Sequence, residues 1–414
     1  MEHAERVNSA AMQYVVNSST SSQLQAQLAS LSPAHSSCAF LRVEYIEHAG
    51  LGHTLSCWAK YLLDSINNHL TYVSPFFSGA HQNCDLGASA EFFGIHSAFY
   101  WANVNNMSLG AAEMVTVGDD RSSPCTSQLL RNTVEATRRR RGAKGFSCDR
   151  PVIFLCRNEK DPFTNRESKN VLSWIEPVRG AVLASLTPEI RKRYRHPAIQ
   201  ASQDNATPIN RAINVVVHIR RGDILASKRV DREHRLTSWH SYSVILRQIL
   251  AALQKSGTTK VNIFILCEGA KDDAHIVEYD QSITAHGFPP GAARKLYPLD
   301  VRASLADVCV PSQPTPTPTP GLPCSVLVLH NTTSELTSFL ALCEAHILVS
   351  STSGFSLPPS AICQPPLTIA LPFSLSWEGV ANTIPVRLVK GALWKEDAVI
   401  ELPGLEQKCQ IFRV

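Results

Sequence analysis

Short apolar runs alternate with amphipathic stretches along most of this chain. The apolar runs are rich in β-branched residues and predict strands: LRVEYI, TYVSPFF, PVIFLCR, INVVVHI, VNIFILC, SVLVLH and HILVSS. Other stretches place apolar residues at spacings of three and four, which predicts helices: TLSCWAKYLLDSINNHL, SYSVILRQILAALQKSG and ELTSFLALCEA. This alternation favours parallel sheets, and strands that are apolar throughout favour sheets covered on both faces.

The same pattern predicts a division into three parts. Residues 1–36 are rich in Ser, Ala and Gln with little apolar periodicity, which predicts a weakly ordered leader. Residues 37–205 predict an N-terminal α/β domain that ends in the polar linker HPAIQASQDNATPIN. Residues 206–414 predict a doubly wound domain with an exposed proline-threonine loop at 311–323. Cys309 and Cys324 flank that loop, either as a disulfide or as two separate thiols.

Composition indicates a folded protein without a nucleic-acid partner. The 414 residues are 44% hydrophobic and 18% charged, and the net charge of +4 is small for this length. One local basic run, Arg138 to Arg141, is either a solvated loop or a site for an anionic partner.

The sequence leaves the cellular compartment open. No run of 18 apolar residues occurs, so no membrane span is expected in this chain. The first residues lack the basic and apolar regions of a signal peptide. The 12 cysteines and the sequons at Asn17, Asn106, Asn205 and Asn331 suit a secretory lumen. We therefore expect the Golgi or secretory lumen if the N-terminus is incomplete, and the cytoplasm otherwise.

Polar clusters follow three of the predicted strands, where a doubly wound sheet binds its ligands. They are HIRRGD at 218–223, CEG at 267–269 and SSTSGFS at 350–356. Arginine offers a planar, charged fork to phosphate oxygens, and a Ser/Thr/Gly turn before a helix offers hydroxyl and N–H groups to an anion. Other interpretations are a strand ending in a solvated turn, an exposed RGD adhesion tripeptide, and a serine run that only caps a helix.

Taken together, three motifs resemble a known enzyme superfamily. VHIRRGD matches the pattern H-x-R-R-x-D, and SSTSGFS matches a late serine-rich S-S-x-F-S segment. GLGHTLS, at Gly50 to Ser56, resembles a glycine turn of the form GLGN-(Q/R)-L. In this order, over about residues 40–365, the motifs resemble those of the inverting fucosyltransferases that use GDP-fucose, in the α1,2-, α1,6- and protein O-fucosyltransferase branches.

The resemblance implies an α/β fold of two Rossmann-like domains facing across a cleft, the GT-B type. Residues 37–205 would form the acceptor side, and 206–414 the domain that binds the nucleotide sugar. The implied function is that of a metal-independent inverting glycosyltransferase, which transfers fucose from GDP-fucose to a glycan or protein hydroxyl. Its partners would be a nucleotide sugar and a glycan or glycoprotein acceptor.

The resemblance also assigns roles to residues of the late strands. Arg220 and Arg221 would hold the GDP phosphates, and Arg221 would stabilise the departing diphosphate. His218 and Asp223 would support the arginines and the nucleotide. The residues expected to contact GDP from the next strand end are Ser351, Thr352, Ser353 and Phe355.

The glycine turn has an implied role on the opposite domain. Gly50 and Gly52 would let the backbone approach the donor, and His53 stands where the family often has Asn. The chain contains no D-x-D triplet, the usual metal-diphosphate motif of other glycosyltransferases. We therefore expect neither a metal nor a cofactor, with the two strand-end arginines carrying the charge instead.

The general base is left open by the sequence. In the α1,6 branch a glutamate stands seven residues after the second arginine, where this chain has Lys228. The candidates that remain are Glu47, Asp223, Asp231 and Glu233. His346 also replaces the aspartate that commonly precedes the late strand. These departures keep open another nucleotide-sugar donor on the same fold and a non-catalytic degenerate member that binds glycan or protein. An adhesion or scaffold protein is a third alternative, which rests on the RGD string and the proline-threonine loop.

Overall fold

The computed structural model describes most of the predicted elements. The residues described are 38–44, 51–73, 91–93, 112–118, 125–142, 146, 150–157, 175, 179–180, 182–204, 212–220, 237–267, 301–306, 308–311, 322–330, 334–352, 355–372, 377, 380–393 and 395–413.

The first sheet is parallel and has the strand order β2-β1-β4-β3. Its strands and helices, in chain order, are β1 (Ala39–Glu44), α1 (Leu51–Asn67), β2 (Thr71–Val73), β3 (Glu113–Val117), α2 (Ser127–Arg141) and β4 (Val152–Arg157). The apolar face of α1 is buried, with Leu55, Trp58 and Leu62 at spacings of three and four. The predicted strand, helix and strand unit at this end of the chain is therefore confirmed.

The second sheet has seven strands in the order β11-β10-β9-β5-β6-β8-β7, and every pairing is parallel. Helix α3 (Pro188–Tyr194) comes before this sheet and belongs almost wholly to the preceding part of the chain. The elements of the sheet and their connections are α4 (Pro197–Asp204), β5 (Ile213–Ile219), α5 (Trp239–Lys255), β6 (Val261–Cys267), α6 (Val301–Ser304), β7 (Cys309–Pro311), β8 (Leu322–His330), α7 (Glu335–Cys343), β9 (Ile347–Val349), α8 (Leu357–Cys363), β10 (Leu367–Ala370) and β11 (Thr383–Pro385). A two-stranded antiparallel sheet, β12 (Arg387–Lys390) and β13 (Val399–Glu401), precedes α9 (Leu405–Cys409) and a 3-10 turn at Gln410–Phe412.

Strand β5 is buried on both faces, as its unbroken apolar run predicts. Val215 and Val217 belong to the larger core, which also contains one side of α5. Val216 points to the opposite face and packs in a smaller core with Leu342 and Leu348. The structure thus confirms the predicted α/β class with parallel, two-sided sheets. The facing arrangement of two domains stays a prediction.

A ladder of polar side chains crosses the amino-terminal ends of the central strands. Asn262 on β6 donates to Asn214 Oδ1 on β5 at 3.0 Å and accepts from Ser325 Oγ on β8 at 2.6 Å. These residues are direct partners in the strand register. Both asparagines are buried, so each bond satisfies a polar group that has left water. The ladder holds three strands in one register.

The chain divides into two compact units between Arg193 and Tyr194. Arg193 forms an ion pair of 2.6 Å with Glu91 inside the N-terminal unit. Two residues later, Arg195 binds the nearly buried Glu344 through two hydrogen bonds of 2.5 and 2.7 Å, inside the C-terminal unit. That residues 37–205 and 206–414 are two domains, each folding on its own, remains a prediction.

Two local predictions were wrong. The segment expected to be a polar linker contains α4, which begins at Pro197, because proline is well suited to the first turn of a helix. Ile199 is buried in the smaller core, and Ala198 packs against it. The glycine turn was expected to end before the helix, but α1 begins at Leu51 and so includes Gly52 in its first turn.

Disulfides link elements in both units. Cys125 is bonded to Cys156 on β4, and Cys343 at the end of α7 is bonded to Cys363 at the end of α8. Cys324 is a buried thiol whose Sγ lies 3.1 Å from the carbonyl oxygen of Leu322. For this residue the separate-thiol interpretation is therefore correct. Among the described helices, none is both long and apolar enough to span a bilayer.

Candidate functional site

The order of the seven strands makes one edge of the sheet the candidate ligand site. From β5 the chain proceeds outward to β6 and β8 on one side, and to β9 and β10 on the other. The ends of β5 and β9 therefore flank the point where the winding direction changes. In open α/β sheets, ligands bind in the crevice beyond the carboxyl ends of the strands at this point.

A buried hydrogen-bond cluster joins the ends of these two strands. His218 is on β5 and only 3% exposed, and its Nδ1 lies 2.7 Å from Ser356 Oγ and 2.9 Å from Ser351 Oγ. The backbone N–H of Ser351 donates to Ser356 Oγ at 3.1 Å. We call these three residues the His-Ser cluster. It fixes the segment after β9 to the end of β5.

The surroundings of the His-Ser cluster are rigid. Phe355 packs its ring against His218 with the ring centres 5.2 Å apart, and Phe339 on α7 meets the Phe355 ring edge to face. Tyr242 on α5 donates its hydroxyl to the backbone carbonyl of His218 at 3.2 Å. Ser350 accepts from Leu371 N–H at 2.9 Å, which ties the end of β9 to that of β10. The cluster is thus held from several elements.

The described residues that the C-terminal unit contributes to the predicted donor site lie at this edge. Arg220 follows β5 directly and is half-buried. Ser351 and Thr352 are buried, and the hydroxyl of Ser351 points to His218. Phe355 is half-buried. The contact of these residues with a nucleotide stays a prediction.

Several predicted site residues lie outside the described part of the chain. They are Glu47, Gly50, Arg221, Asp223 and Ser353, together with the candidate bases Asp231 and Glu233 and with Lys228. Gly52 is buried in the first turn of α1, and of His53 only the backbone is described. The roles predicted for all of these residues remain predictions.

Sequence reasoning missed Tyr242 and, although it placed Ser356 in the serine-rich cluster, assigned that residue no separate role. Tyr242 could not be recognised, because an apolar-face position on a helix gives no sign that its hydroxyl reaches a strand. Ser356 did carry a signal: Pro358 and Pro359 follow it within α8. A serine before a helix normally accepts the N–H of the second or third helical residue, and prolines have no N–H to give.

His346 has a structural role at the other end of the sheet. Its Nδ1 accepts the backbone N–H of Asn214 at 2.9 Å, and its own N–H donates to the Asn214 carbonyl at 3.0 Å. It therefore pins the start of β5 beside the start of β9. Among the described residues, no group of three or more His, Cys, Asp or Glu side chains is placed to hold a metal ion.

The arginine run is helical, and two of its members form ion pairs within the N-terminal unit. Arg138 to Arg141 form the last turn of α2, so the solvated-loop interpretation was wrong. Arg141 binds Glu113 at 2.6 Å and Arg140 contacts the same carboxylate. The hydrogen bond from Arg141 is the main reason that the pKa of Glu113 lies below its ordinary value. Positive charge at a helix C-terminus also complements the helix dipole.

Comparison with known proteins gives structural similarities only. No protein-family model matches the chain, and no curated protein matches it. POFUT1 in complex with GDP-fucose aligns at 10% identity over 78% of this chain and 94% of that chain, with a TM-score of 0.38. A mutant of Arabidopsis thaliana FUT1 in complex with GDP aligns at 8% identity over 90% and 75%, with a TM-score of 0.36.

A third solved structure is the fucosyltransferase NodZ from Bradyrhizobium. It aligns at 13% identity over 82% of this chain and 96% of that chain, with a TM-score of 0.36. Similarities at this level do not bear on the activity of this chain, which is inferred below from its own residues.

Proposed function

We propose that this chain is a metal-independent inverting glycosyltransferase that transfers fucose from GDP-fucose to a hydroxyl of a glycan or protein. The observation that carries the proposal is the His-Ser cluster. It joins the carboxyl ends of β5 and β9 at the switch point of the sheet, directly before Arg220 and Arg221. A nucleotide diphosphate is the ligand that such an edge, followed by two guanidinium groups, suits best.

Charge supports a diphosphate over a neutral ligand. A guanidinium is always protonated and presents a planar set of N–H donors that matches phosphate oxygens. Two such groups, at consecutive positions after a buried strand, provide positive charge where a diphosphate leaving group needs it. The residue directly before Arg220, Ile219, is fully buried in the sheet.

The proposed reaction balances with the donor and acceptor alone. The acceptor hydroxyl oxygen attacks the anomeric carbon of fucose, and the bond between that carbon and the β-phosphate oxygen breaks. GDP leaves with the bonding electron pair, against Arg220 and Arg221. The hydroxyl proton passes to a general base among Glu47, Asp223, Asp231 and Glu233. Attack from the face opposite the leaving group inverts the configuration.

Lys228 stands where the α1,6 branch has a glutamate that is a candidate general base. This difference is the specific reason to consider a non-catalytic member. A member without a base would bind nucleotide or glycan at the same edge and transfer nothing. It would differ from the enzyme in turnover, not in nucleotide affinity. The other alternative, a different nucleotide-sugar donor at the same site, is tested by comparing ligands that differ in base and in sugar.

The test is isothermal titration calorimetry with GDP, GDP-fucose, GDP-mannose and UDP-glucose, in EDTA. The variant Arg221→Ala is compared with Arg387→Ala, a matched arginine on β12 whose side chain is 71% exposed. We expect GDP and GDP-fucose to bind the wild type without metal. Arg221→Ala should bind about 10- to 100-fold more weakly, because hydrogen bonds to charged groups contribute about 1.5–3 kcal/mol each.

The control and the remaining outcomes separate the alternatives. Arg387→Ala should bind as the wild type does. Binding of UDP-glucose in place of the guanosine nucleotides would overturn the donor and keep the site. Absence of binding to all four nucleotides by folded protein would overturn the proposed function. Release of GDP from bound GDP-fucose with an acceptor separates the enzyme from the non-catalytic alternative.

A further inference from the structure

A disulfide closes a ring around the segment that follows β9. Cys343, at the end of α7, is bonded to Cys363, at the end of α8, and the two lie 20 positions apart in the sequence. The ring contains β9, both serines of the His-Ser cluster and α8. We call it the Cys343–Cys363 ring. It encloses the segment that supplies hydroxyl groups to the candidate site.

Helix α8 depends on its surroundings for its position. It has only seven residues, and a helix of this length is not stable by itself in water. No side chain caps its first end, which is joined to β5 through Ser356 and His218. Its last end is joined to α7 through the disulfide. Burial of its side chains and these two attachments together hold α8 in place.

The α7 side of the ring is anchored independently of the disulfide. One face of α7 is buried in the C-terminal unit. Glu344, the residue after Cys343, binds Arg195 through two hydrogen bonds of 2.5 and 2.7 Å. Loss of the disulfide would therefore leave the end of α7 fixed and would act on α8 and on the serines before it.

The two disulfides formed by described cysteines differ in burial. Cys343 and Cys363 are both half-buried, whereas Cys125 and Cys156 are 6% and 0% exposed. A disulfide is reduced when a thiolate attacks one of its sulfur atoms, so the rate depends on access to that sulfur. Of these two disulfides, Cys343–Cys363 is therefore the one that we expect a reductant to reach first.

We propose that the Cys343–Cys363 disulfide is a redox-sensitive constraint on the nucleotide site, and that its reduction by a dithiol weakens nucleotide binding. A thiolate of the dithiol attacks one sulfur and forms a mixed disulfide, and the second thiolate of the dithiol then releases it. The sulfur–sulfur bond of the protein is replaced by two thiols, and the dithiol becomes a disulfide. Two electrons and two protons pass to the protein.

Reduction weakens binding because it makes local opening easier. Ring closure limits the conformations that residues 344–362 can adopt, and cutting the ring raises the entropy of the opened segment. A nucleotide that binds only the closed segment then binds in proportion to the closed fraction. The identity of the ligand in this inference rests on the proposed function, whereas the opening of the segment does not.

The same coupling predicts the reverse effect. If reduction lowers the affinity for GDP by some factor, bound GDP must disfavour reduction of the disulfide by the same factor, because coupling between two equilibria is reciprocal. A disulfide that only stabilises the fold, without any effect on the site, would not show this dependence on GDP.

The first measurement needs no nucleotide. Full-length protein is equilibrated with mixtures of reduced and oxidised dithiothreitol, and its free thiols are alkylated and mapped by mass spectrometry. We expect Cys343 and Cys363 to become alkylated under milder conditions than Cys125 and Cys156. Unpaired Cys343 and Cys363 in the untreated protein, or earlier reduction of Cys125 and Cys156, would overturn the proposal.

Hydrogen–deuterium exchange then tests local opening in the selectively reduced protein. We expect faster exchange in peptides that cover 350–357. Peptides that cover α2, which follows the intact Cys125, are the control and should exchange at an unchanged rate. Unchanged exchange at 350–357 after reduction would contradict the proposal.

Calorimetric titration with GDP compares the oxidised wild type, the selectively reduced wild type and the double variant Cys343→Ser/Cys363→Ser. Reduced wild type and double variant should both bind GDP at least about fivefold more weakly than the oxidised wild type, the lower end of typical coupling between two sites. Dithiothreitol should not change the affinity of the double variant. The reduced wild type carries the test alone if the double variant does not fold.

The outcomes separate this inference from the proposed function. In saturating GDP, the ratio of reduced to oxidised dithiothreitol that half-reduces the Cys343–Cys363 disulfide should rise by the same factor as the loss of affinity. Equal GDP affinity of the oxidised and reduced forms would overturn the inference and leave the proposed function standing. If neither form binds a nucleotide but reduction still speeds exchange at 350–357, the proposed function fails and the constraint on this segment stands.

Discussion

At the residue scale, histidines of the C-terminal unit satisfy buried backbone and hydroxyl groups through Nδ1. His346 accepts from Asn214 N–H at 2.9 Å, and His196 accepts from Ala198 N–H at 3.1 Å. His218 Nδ1 lies within hydrogen-bonding distance of two serine hydroxyls in place of a backbone amide. In His196 and His346, the Nδ1 that accepts the backbone N–H carries no hydrogen of its own.

This arrangement predicts pH-dependent stability through His196. Burial lowers the pKa of His196 below its ordinary value of 6.5. Below pH 6.5 the unfolded chain therefore takes up a proton before the folded chain does, and stability is lost as the pH falls through the folded pKa. The asparagine in His196→Asn can still accept from Ala198 N–H through Oδ1, which takes the place of Nδ1, but does not titrate.

The free energy of unfolding should thus fall more steeply in the wild type than in His196→Asn between about pH 7 and pH 5. It is measured by urea titration of both proteins at each pH. If the free energy of unfolding fell equally with pH in both proteins, the loss of stability could not be assigned to His196.

At the element scale, the hydrogen bonds at the two ends of β5 have different roles. The amino-terminal end is fixed by the asparagine ladder, whose members are register partners on β5, β6 and β8. The carboxyl-terminal end is fixed by the His-Ser cluster, which reaches across to the segment after β9. One end therefore holds the sheet together, and the other presents the candidate site.

The ladder predicts an effect of Asn262 on stability. Asn262→Ala leaves Asn214 Oδ1 without its donor and Ser325 Oγ without its acceptor, and Asn214 is buried. We expect a loss of about 1–3 kcal/mol in the free energy of unfolding, measured by urea titration. Ser325→Ala keeps the bond between the asparagines and should lose less. Equal stability of Asn262→Ala and the wild type would show that the ladder is unimportant.

The central strands and the helices between them could be predicted because burial on both faces leaves an unbroken apolar run. α2 was harder to predict, since its only buried residues are Leu130, Val134 and Thr137, one of them polar. α4 was missed because its sequence is mostly polar, although Ile199 and Ala198 pack in the smaller core. The serine run could be placed beyond β9, but the direction of each hydroxyl depends on tertiary contacts with β5.

At the scale of the whole molecule, the chain consists of two units that each contain a parallel sheet. The C-terminal unit contains the switch point and the residues that carry the proposed nucleotide site. The predicted acceptor side, 37–205, belongs largely to the N-terminal unit. The proposed function therefore assigns nucleotide binding to the carboxyl edge of one sheet, and this assignment is the central claim.

The most direct test of that claim is hydrogen–deuterium exchange of the full-length chain with and without saturating GDP, in EDTA. We expect GDP to slow exchange in peptides that cover 218–224 and 350–357, at the ends of β5 and β9. Peptides that cover α2, with its four terminal arginines, serve as the control and should exchange at the same rate in both states. Protection confined to α2, or to any region other than the ends of β5 and β9, would contradict the account.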